Sequence, residues 1–300
     1  VTKYNGKYYG ITSKGGMYNK GVIYEWDPVS NIQTKKYDLD YTSGHHPYGY
    51  LTLYNGKFYG LNEEGGDDGS GTMFEWDPAT NIYLKLVDFN GTNGSHPYGS
   101  LRLQNDILYG ITGLGGEHGA GVIFEWNPAN RIFTKKIDFN GTNGDYPRGN
   151  LAWLSNRFYG ITEAGGLNNE GVLFEWDPAT NNYTVKVNLS KDSGSHPFGS
   201  LAINAGKLYG MTSEGGTNND GVIFEWDPAG NVYTVKKNLN AAEAGQPGIG
   251  NDLVTVPAPV AKGTAGTCTE FPAVTIDSSN NNRWVAITDN EGNAVAEIKA

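Results

Sequence analysis

Two sets of residues in this chain are placed to do chemistry, and both recur every 50 positions. The first stands at one offset, each member before a proline: His46, His96, Tyr146, His196 and Gln246, with Tyr48 and Tyr98 two places after the first two. An imidazole is a metal ligand or a proton carrier near neutral pH. Two copies lack the histidine, though, and equal offsets distribute the other three over different structural units. A side chain bonded to its own loop is therefore expected in preference to shared metal ligation. The second set is a Glu-Trp pair in every copy: Glu25-Trp26, Glu75-Trp76, Glu125-Trp126, Glu175-Trp176 and Glu225-Trp226. Five equivalent general acids would be redundant for one reaction, so the carboxylates are expected to be structural. A buried carboxylate needs donors. Those expected are the backbone N–H groups of the Gly15-Gly16 turn or the ammonium of Lys36. The tryptophans are expected to pack between units, the competing reading being five sugar-stacking platforms.

Two further groups of polar residues bear on chemistry. Residues 88–94 and 138–144 share the sequence Asp-Phe-Asn-Gly-Thr-Asn-Gly. The oxygens of Asp88 and Asn90, and of Asp138 and Asn140, have the spacing of a calcium loop. The glycine is one place off that frame and no terminal glutamate follows, so the plain alternative is an Asn-Gly turn. Calcium is the one cofactor the sequence suggests, and none is dictated. The loop residues Glu63, Glu64, Asp67, Asp68 and Glu117, with His118 nearby, are the first suspects for acid–base work. No Gly-x-Ser-x-Gly elbow, His-Glu-x-x-His pair or phosphate loop occurs. Cys268 is the only cysteine; it has no histidine close in sequence to activate it, and it excludes an internal disulfide. A non-enzymatic protein is expected.

The elements that position these residues follow from the repeat. Five copies fill 1–250 without insertion or deletion, and nine positions are identical in all of them: a Tyr-Gly pair, three glycines, the Glu-Trp pair and two prolines. A period of this length marks a repeat architecture. In the second copy, 51–54 and 57–61 read as strands around the Asn55-Gly56 hairpin turn, and 71–77 and 82–88 as strands around a Pro78 turn. One such four-stranded sheet cannot bury both of its faces, whereas radial stacking buries them, so the expected fold is all-β, a β-propeller of five kelch-like blades. The glycine-framed loop 63–70 and the long connection 89–99 then emerge on one face. That face is the expected recognition surface, with His46, Tyr48, His96, Tyr98, Tyr146, His196, Asp67, Asp68 and His118 on it.

Domain boundaries are expected at 1–256 for the propeller, with 251–256 completing the first blade. A Pro-, Ala- and Gly-rich linker would cover 257–268, and 269–300 would open a β-sandwich-like domain with a strand at 271–276 and a hairpin around 289–292. The first copy begins inside its first strand, so further blades upstream are an open expectation, with Val1 a mature or cut end. The net charge is −10 with a sequence pI of about 5.0, and no basic cluster occurs. That excludes nucleic acid and anionic lipid as expected partners, since both need concentrated Lys and Arg.

The segment 208–228, Leu-Tyr-Gly-Met-Thr-x-x-Gly-Gly-x-x-x-x-Gly-Val-Ile-Phe-Glu-Trp-Asp-Pro, resembles the bacterial GloVer tandem repeat. The double glycine and the Asp-Pro also resemble a kelch blade, although the kelch outer-strand Trp is replaced by Gln33, Tyr83, Phe133, Tyr183 or Tyr233. The tail resembles domains of Bacteroidota surface proteins, many exported by the type IX system. These resemblances imply a secreted or cell-surface binding or adhesion module within a larger protein, with a glycan or protein ligand. They carry no family catalytic residues. The alternatives are a polysaccharide-acting enzyme using the loop acids, or a spacer without a ligand.

Overall fold

The computed structural model describes residues 1–240 and the backbone of two further strands, Trp284–Thr288 and Ala294–Lys299. Each repeat is a four-stranded antiparallel sheet with its strands in chain order, and five such blades follow one another. In blade 2 the strands are Thr52–Tyr54, Lys57–Asn62, Thr72–Asp77 and Ile82–Asp88, within a residue of the sequence reading. The agreement has a local cause. Asn55 and Gly56 both take positive φ, 48° and 77°, as the two-residue hairpin requires. The second turn is held by Asp77, whose Oδ1 accepts the Ala79 N–H at 2.8 Å.

The third strand has six residues and the fourth has seven, and the extra residue forms a β-bulge in every blade. In blade 1, Ile23 faces Tyr37 and Tyr24 faces Lys35, which leaves Lys36 unpaired. A bulge re-aims a side chain. Here it turns Lys36 toward Glu25, at 3.8 Å, and its equivalents Lys136, Lys186 and Lys236 reach Glu125, Glu175 and Glu225 at 3.5, 3.4 and 3.7 Å. The closer donors come from the second strand. Lys7 Nζ and Tyr9 OH donate to Glu25 at 2.6 and 2.8 Å, and Lys57 and Tyr59 to Glu75 at 2.6 and 2.7 Å. Lys36 is thus a partner as expected. The Gly15-Gly16 turn is not, because Glu25 lies directly across the ladder from Tyr9. Burial pushes the Glu25, Glu75 and Glu225 carboxyls up, but these lysine and tyrosine bonds outweigh it and hold all three below the ordinary value. Tyr9 is pushed up to about 12 by burial and by its bond to Glu25.

The core lies between blades. Tyr9 and Ile23 of blade 1 pack on Phe58, Phe74 and Trp76 of blade 2, and the same pattern joins blades 2 and 3, 3 and 4, and 4 and 5. Gly60 lies opposite Phe74 in the ladder, and a Cβ there would run into the Phe74 ring. Trp76, Trp126, Trp176 and Trp226 are buried, as expected for packing residues. Trp26 departs from them at 36% exposure, resting on Tyr8 of its own blade at 5.4 Å between centroids.

The first strands of blades 1 and 2, of blades 2 and 3, and of blades 4 and 5 lie against one another. Just before each of them a run of main chain approaches the next blade closely. A Cβ on Gly99 would stand 2.8 Å from the Gly149 carbonyl oxygen. The following residues form a ladder around the axis: Tyr50 N–H to Ser100 Oγ at 2.7 Å, Ser100 N–H to Asn150 Oδ1 at 2.5 Å, and Asn150 N–H to Ser200 Oγ at 3.0 Å. Trp284–Thr288 and Ala294–Lys299 pair as an antiparallel hairpin, at the place the sequence pattern indicates. The expected closing segment 251–256, the linker 257–268 and the strand 271–276 lie outside the described residues.

Replacing Trp176 by Ala should cost about 3–5 kcal/mol, as other buried aromatic truncations do. Trp26→Ala should cost only about 1 kcal/mol, the worth of one aromatic pair. Urea denaturation of the two variants checks the difference.

Candidate functional site

The long connections between blades are held by main-chain bonds on two sides. His45 N–H donates to the Glu64 carbonyl at 2.8 Å and Glu64 N–H to the His45 carbonyl at 3.1 Å, so the connection leaving blade 1 pairs with the glycine-framed loop of blade 2. Ser95 with Leu114, Asp145 with Ala164 and Ser195 with Glu214 repeat this bridge. On the other side, His96 N–H reaches the Ser70 carbonyl at 2.8 Å and His196 N–H the Glu170 carbonyl at 3.0 Å, within the blade the chain is leaving. Fourth-strand tyrosines add a third tie: Tyr83, Tyr183 and Tyr233 donate to the carbonyls of Ser43, Asn143 and Ser193 at 2.9, 2.6 and 2.7 Å. The clamped segment is unusual in conformation. His46, His96, Tyr146 and His196 all have φ between 50° and 57°, the left-handed region that non-glycine residues visit at a cost.

Two residues past these positions, a line of aromatic and cationic side chains crosses four blades. The Tyr48 ring lies 6.0 Å from that of Tyr98, and the Tyr98 and Tyr146 rings meet edge to face at 5.9 Å with their hydroxyls 3.0 Å apart. The Arg148 guanidinium sits over Tyr146 at 4.1 Å and over Tyr98 and Phe198 at 5.2 Å. Tyr48 is 57% exposed, while Tyr98, Tyr146, Arg148 and Phe198 are half-buried, so the row is open at one end and recessed at the other.

One buried and one half-buried acid, Glu63 and Glu163, lie beside this row. Arg148 Nε and Glu163 Oε2 form an ion pair 2.5 Å apart. Burial nevertheless raises the Glu163 carboxyl above its ordinary value, more than Arg148 and His196 lower it. Glu63 is buried beside Tyr98 and His96, and burial raises its carboxyl also, against the Tyr98 hydrogen bond. The Nδ1 atoms of His45, His96 and His196 are buried without a hydrogen-bond partner. His196 Nδ1 lies 3.2 Å from Glu170 Oε2.

The structure therefore divides the residues singled out from the sequence. Tyr48, Tyr98 and Tyr146 form the aromatic row, with His96 and His196 beside its acids. His46 lies at the blade 1–blade 2 junction, 3.2 Å from Glu64. Asp67, Asp68 and His118 stand exposed on loop tips, with Asp67 paired to Lys85 at 2.8 Å, and Glu117 is likewise exposed. Glu63 and Glu64 are thus separated from the other loop acids. The oxygens of Asp88, Asn90, Asp138 and Asn140 accept bonds from the loops themselves. Asp88 Oδ1 takes the Asp67 N–H at 3.0 Å and Asp138 Oδ1 the Glu117 N–H at 2.8 Å. Asn90 and Asn140 take the Thr92 and Thr142 hydroxyls, both at 2.8 Å. Arg148, Glu163 and Phe198 escaped the sequence reading. Their offset was visible, but a line of repeat positions that varies in type looks the same as an unselected surface. On the tight-turn face a recess between blades 2 and 3 is lined by Tyr54, Lys57, Glu75 and Arg131, whose charges are paired within it.

The fold defines a β-propeller whose long loops gather at one end of its axis. The chain belongs to the Gloeobacter/Verrucomicrobia repeat family, whose profile matches residues 1–130 and 86–264. No curated protein matches it. Solved structures resemble this chain at low identity, two of them with a TM-score above 0.5. The extracellular domain of the putative one-component system BT4673 from B. thetaiotaomicron superposes with a TM-score of 0.54 at 13% identity, over 80% of this chain and 27% of that one. A nidogen/laminin complex gives 0.51 at 12%, over 78% and 79%. TolB from Acinetobacter baumannii gives 0.47 at 10%, over 77% and 52%. The chain thus spans about half of TolB and about a quarter of the BT4673 domain.

The raised Glu63 carboxyl has a consequence for stability. Its folded-state value lies above its unfolded one, so its ionisation weakens the fold as pH rises from the unfolded value through the folded one. Glu63→Gln keeps an acceptor for Tyr98 and removes the charge. Urea midpoints should be equal for variant and wild type below pH 4 and higher for the variant at pH 7.

Proposed function

We propose that the chain is a binding module of a secreted or cell-surface protein, and that its ligand is a glycan held at the axial end of the long-loop face. The observation that carries this reading is the row Tyr48, Tyr98, Tyr146, Arg148 and Phe198. Four of these come from one repeat offset, where the surrounding frame is constant and the side chain changes from blade to blade. A sugar ring offers a face of C–H groups to stack on tyrosine and hydroxyls to pair with acids and imidazoles. The exposed Tyr48 supplies the first and the half-buried Arg148 and Glu163 with His96 supply the second. Preorganisation supports binding, since the connections are clamped by main-chain bonds before any ligand arrives. The extracellular setting accords with the resemblance to secreted repeat proteins.

Glycan-array binding of the purified chain, followed by calorimetry on the best hit, tests the reading. Binding without release of a shorter product is expected, and Tyr98→Ala or Arg148→Ala should weaken it about tenfold or more, the loss of a buried aromatic or Arg anchor. Shortened glycan products would place the chain among enzymes instead. Absence of binding to every glycan class, or affinity unchanged in both variants, would remove the proposal.

A further inference from the structure

Among the described residues, one cluster of side chains outside the aromatic row has the composition of a metal site. At the junction of blades 1 and 2, His45, His46 and Glu64 each present a ligand atom, and the three atoms all lie within 4.8 Å of one another. His45 Nδ1 is 3.5 Å and His46 Nδ1 3.2 Å from the same carboxylate oxygen, Glu64 Oε2. His45 is 3% exposed and its Nδ1 has no hydrogen-bond partner, so a buried polar atom faces the cluster unsatisfied. His46 and Glu64 are more open, which leaves an approach from solvent. From these positions we infer that His45, His46 and Glu64 bind a zinc-type divalent cation, clamping the connection that leaves blade 1 to the glycine-framed loop of blade 2.

The donor set selects the class of ion. Two imidazole nitrogens and one carboxylate oxygen suit zinc and its borderline neighbours, whereas calcium and magnesium take oxygen ligands almost exclusively. The main chain has already done the positioning. The reciprocal His45–Glu64 bridge, with bonds of 2.8 and 3.1 Å, brings the two segments into register before an ion binds. The ammonium of Lys20, the one lysine facing the cluster among the described residues, is held over the Tyr41 ring at 4.1 Å. The equivalent positions elsewhere read Ser95, His96, Leu114 and then Asp145, Tyr146, Ala164 and Ser195, His196, Glu214. Among the described residues, only the first junction assembles the three-ligand set. Three protein ligands leave a fourth tetrahedral position for water or a ligand atom. This inference does not depend on the glycan reading, and the ion is measured by itself.

The test is calorimetric titration of the chelator-treated full chain with zinc chloride, with cobalt(II) absorption as a second readout. One saturable zinc per chain is expected, with visible cobalt bands of four-coordinate intensity. His46→Ala and Glu64→Gln, both at partly exposed positions that should fold, should each lower zinc affinity about tenfold or more, since even outer-shell changes at metal sites cost that much. His118→Ala, on an exposed loop tip of blade 3, should leave it unchanged. Calcium chloride should neither bind at this site nor compete with zinc. Lack of saturable zinc uptake by wild type, or uptake unaltered in both His46→Ala and Glu64→Gln, would overturn the inference.

Discussion

A sheet of four short strands has two apolar faces and no core of its own, and this structure is arranged around that deficit. Each blade covers one face of the next, so stability resides in the junctions rather than in the blades. The invariant residues follow from the junction. The glycine of the Tyr-Gly pair leaves room for the ring opposite, such as Phe74 over Gly60, and that packing lets Tyr9 of one blade lie against Phe58 and Trp76 of the next. Trp26 shows the rule from the other side. It occupies the same repeat position as four buried tryptophans, yet among the described residues no blade packs over it and it remains exposed.

The packed faces raise a second problem, a carboxylate in the middle of each third strand. The solution is shared between register and irregularity. The ladder sets tyrosine directly opposite glutamate, the residue two before that tyrosine adds a lysine in blades 1, 2 and 5, and the bulge adds another in four of five blades. Where the bulge residue is Leu86, Arg131 of the following blade approaches Glu75 at 3.8 Å instead. A half-buried or buried carboxylate with so many partners helps fix the strand register, since a one-residue slip would strand it. The same bulge joins neighbours: the Lys36 carbonyl accepts the Asn81 amide at 3.0 Å, and Asn81 in turn accepts the Trp76 indole N–H at 3.0 Å.

Function has room to vary only where the junctions are not at stake. The offsets two and four residues before each axial ladder position are such places. Their backbone is clamped by the flanking loops, and their side chains point away from the dry faces. A uniform scaffold therefore carries a non-uniform surface: two adjacent histidines and an exposed tyrosine on one connection, a paired arginine on another. The separation also explains the opposite fates of the acids. Asp67, Asp68 and Glu117 sit at loop tips in solvent, while Glu63 and Glu163, four residues before the tips, are drawn into the crowded axial end where burial raises their carboxyls.

The sequence by itself determined the repeat, the strand limits, the tight turns and the face on which the long loops emerge. Each of these is written in short-range patterns: Asn-Gly at a hairpin, alternation along a strand, proline after the third strand. It also set Glu25 and its equivalents apart as part of the repeated frame, because they are identical in five copies. Tertiary structure alone decided which donors satisfy those carboxylates, since a partner across the ladder is 16 or 18 residues away in the chain. It alone separated the inner acids from the outer ones, and it brought Tyr98, Tyr146, Arg148 and Glu163 from neighbouring repeats to one point. A periodic sequence shows that such positions are equivalent. Only the rotation of one blade against the next shows that they meet.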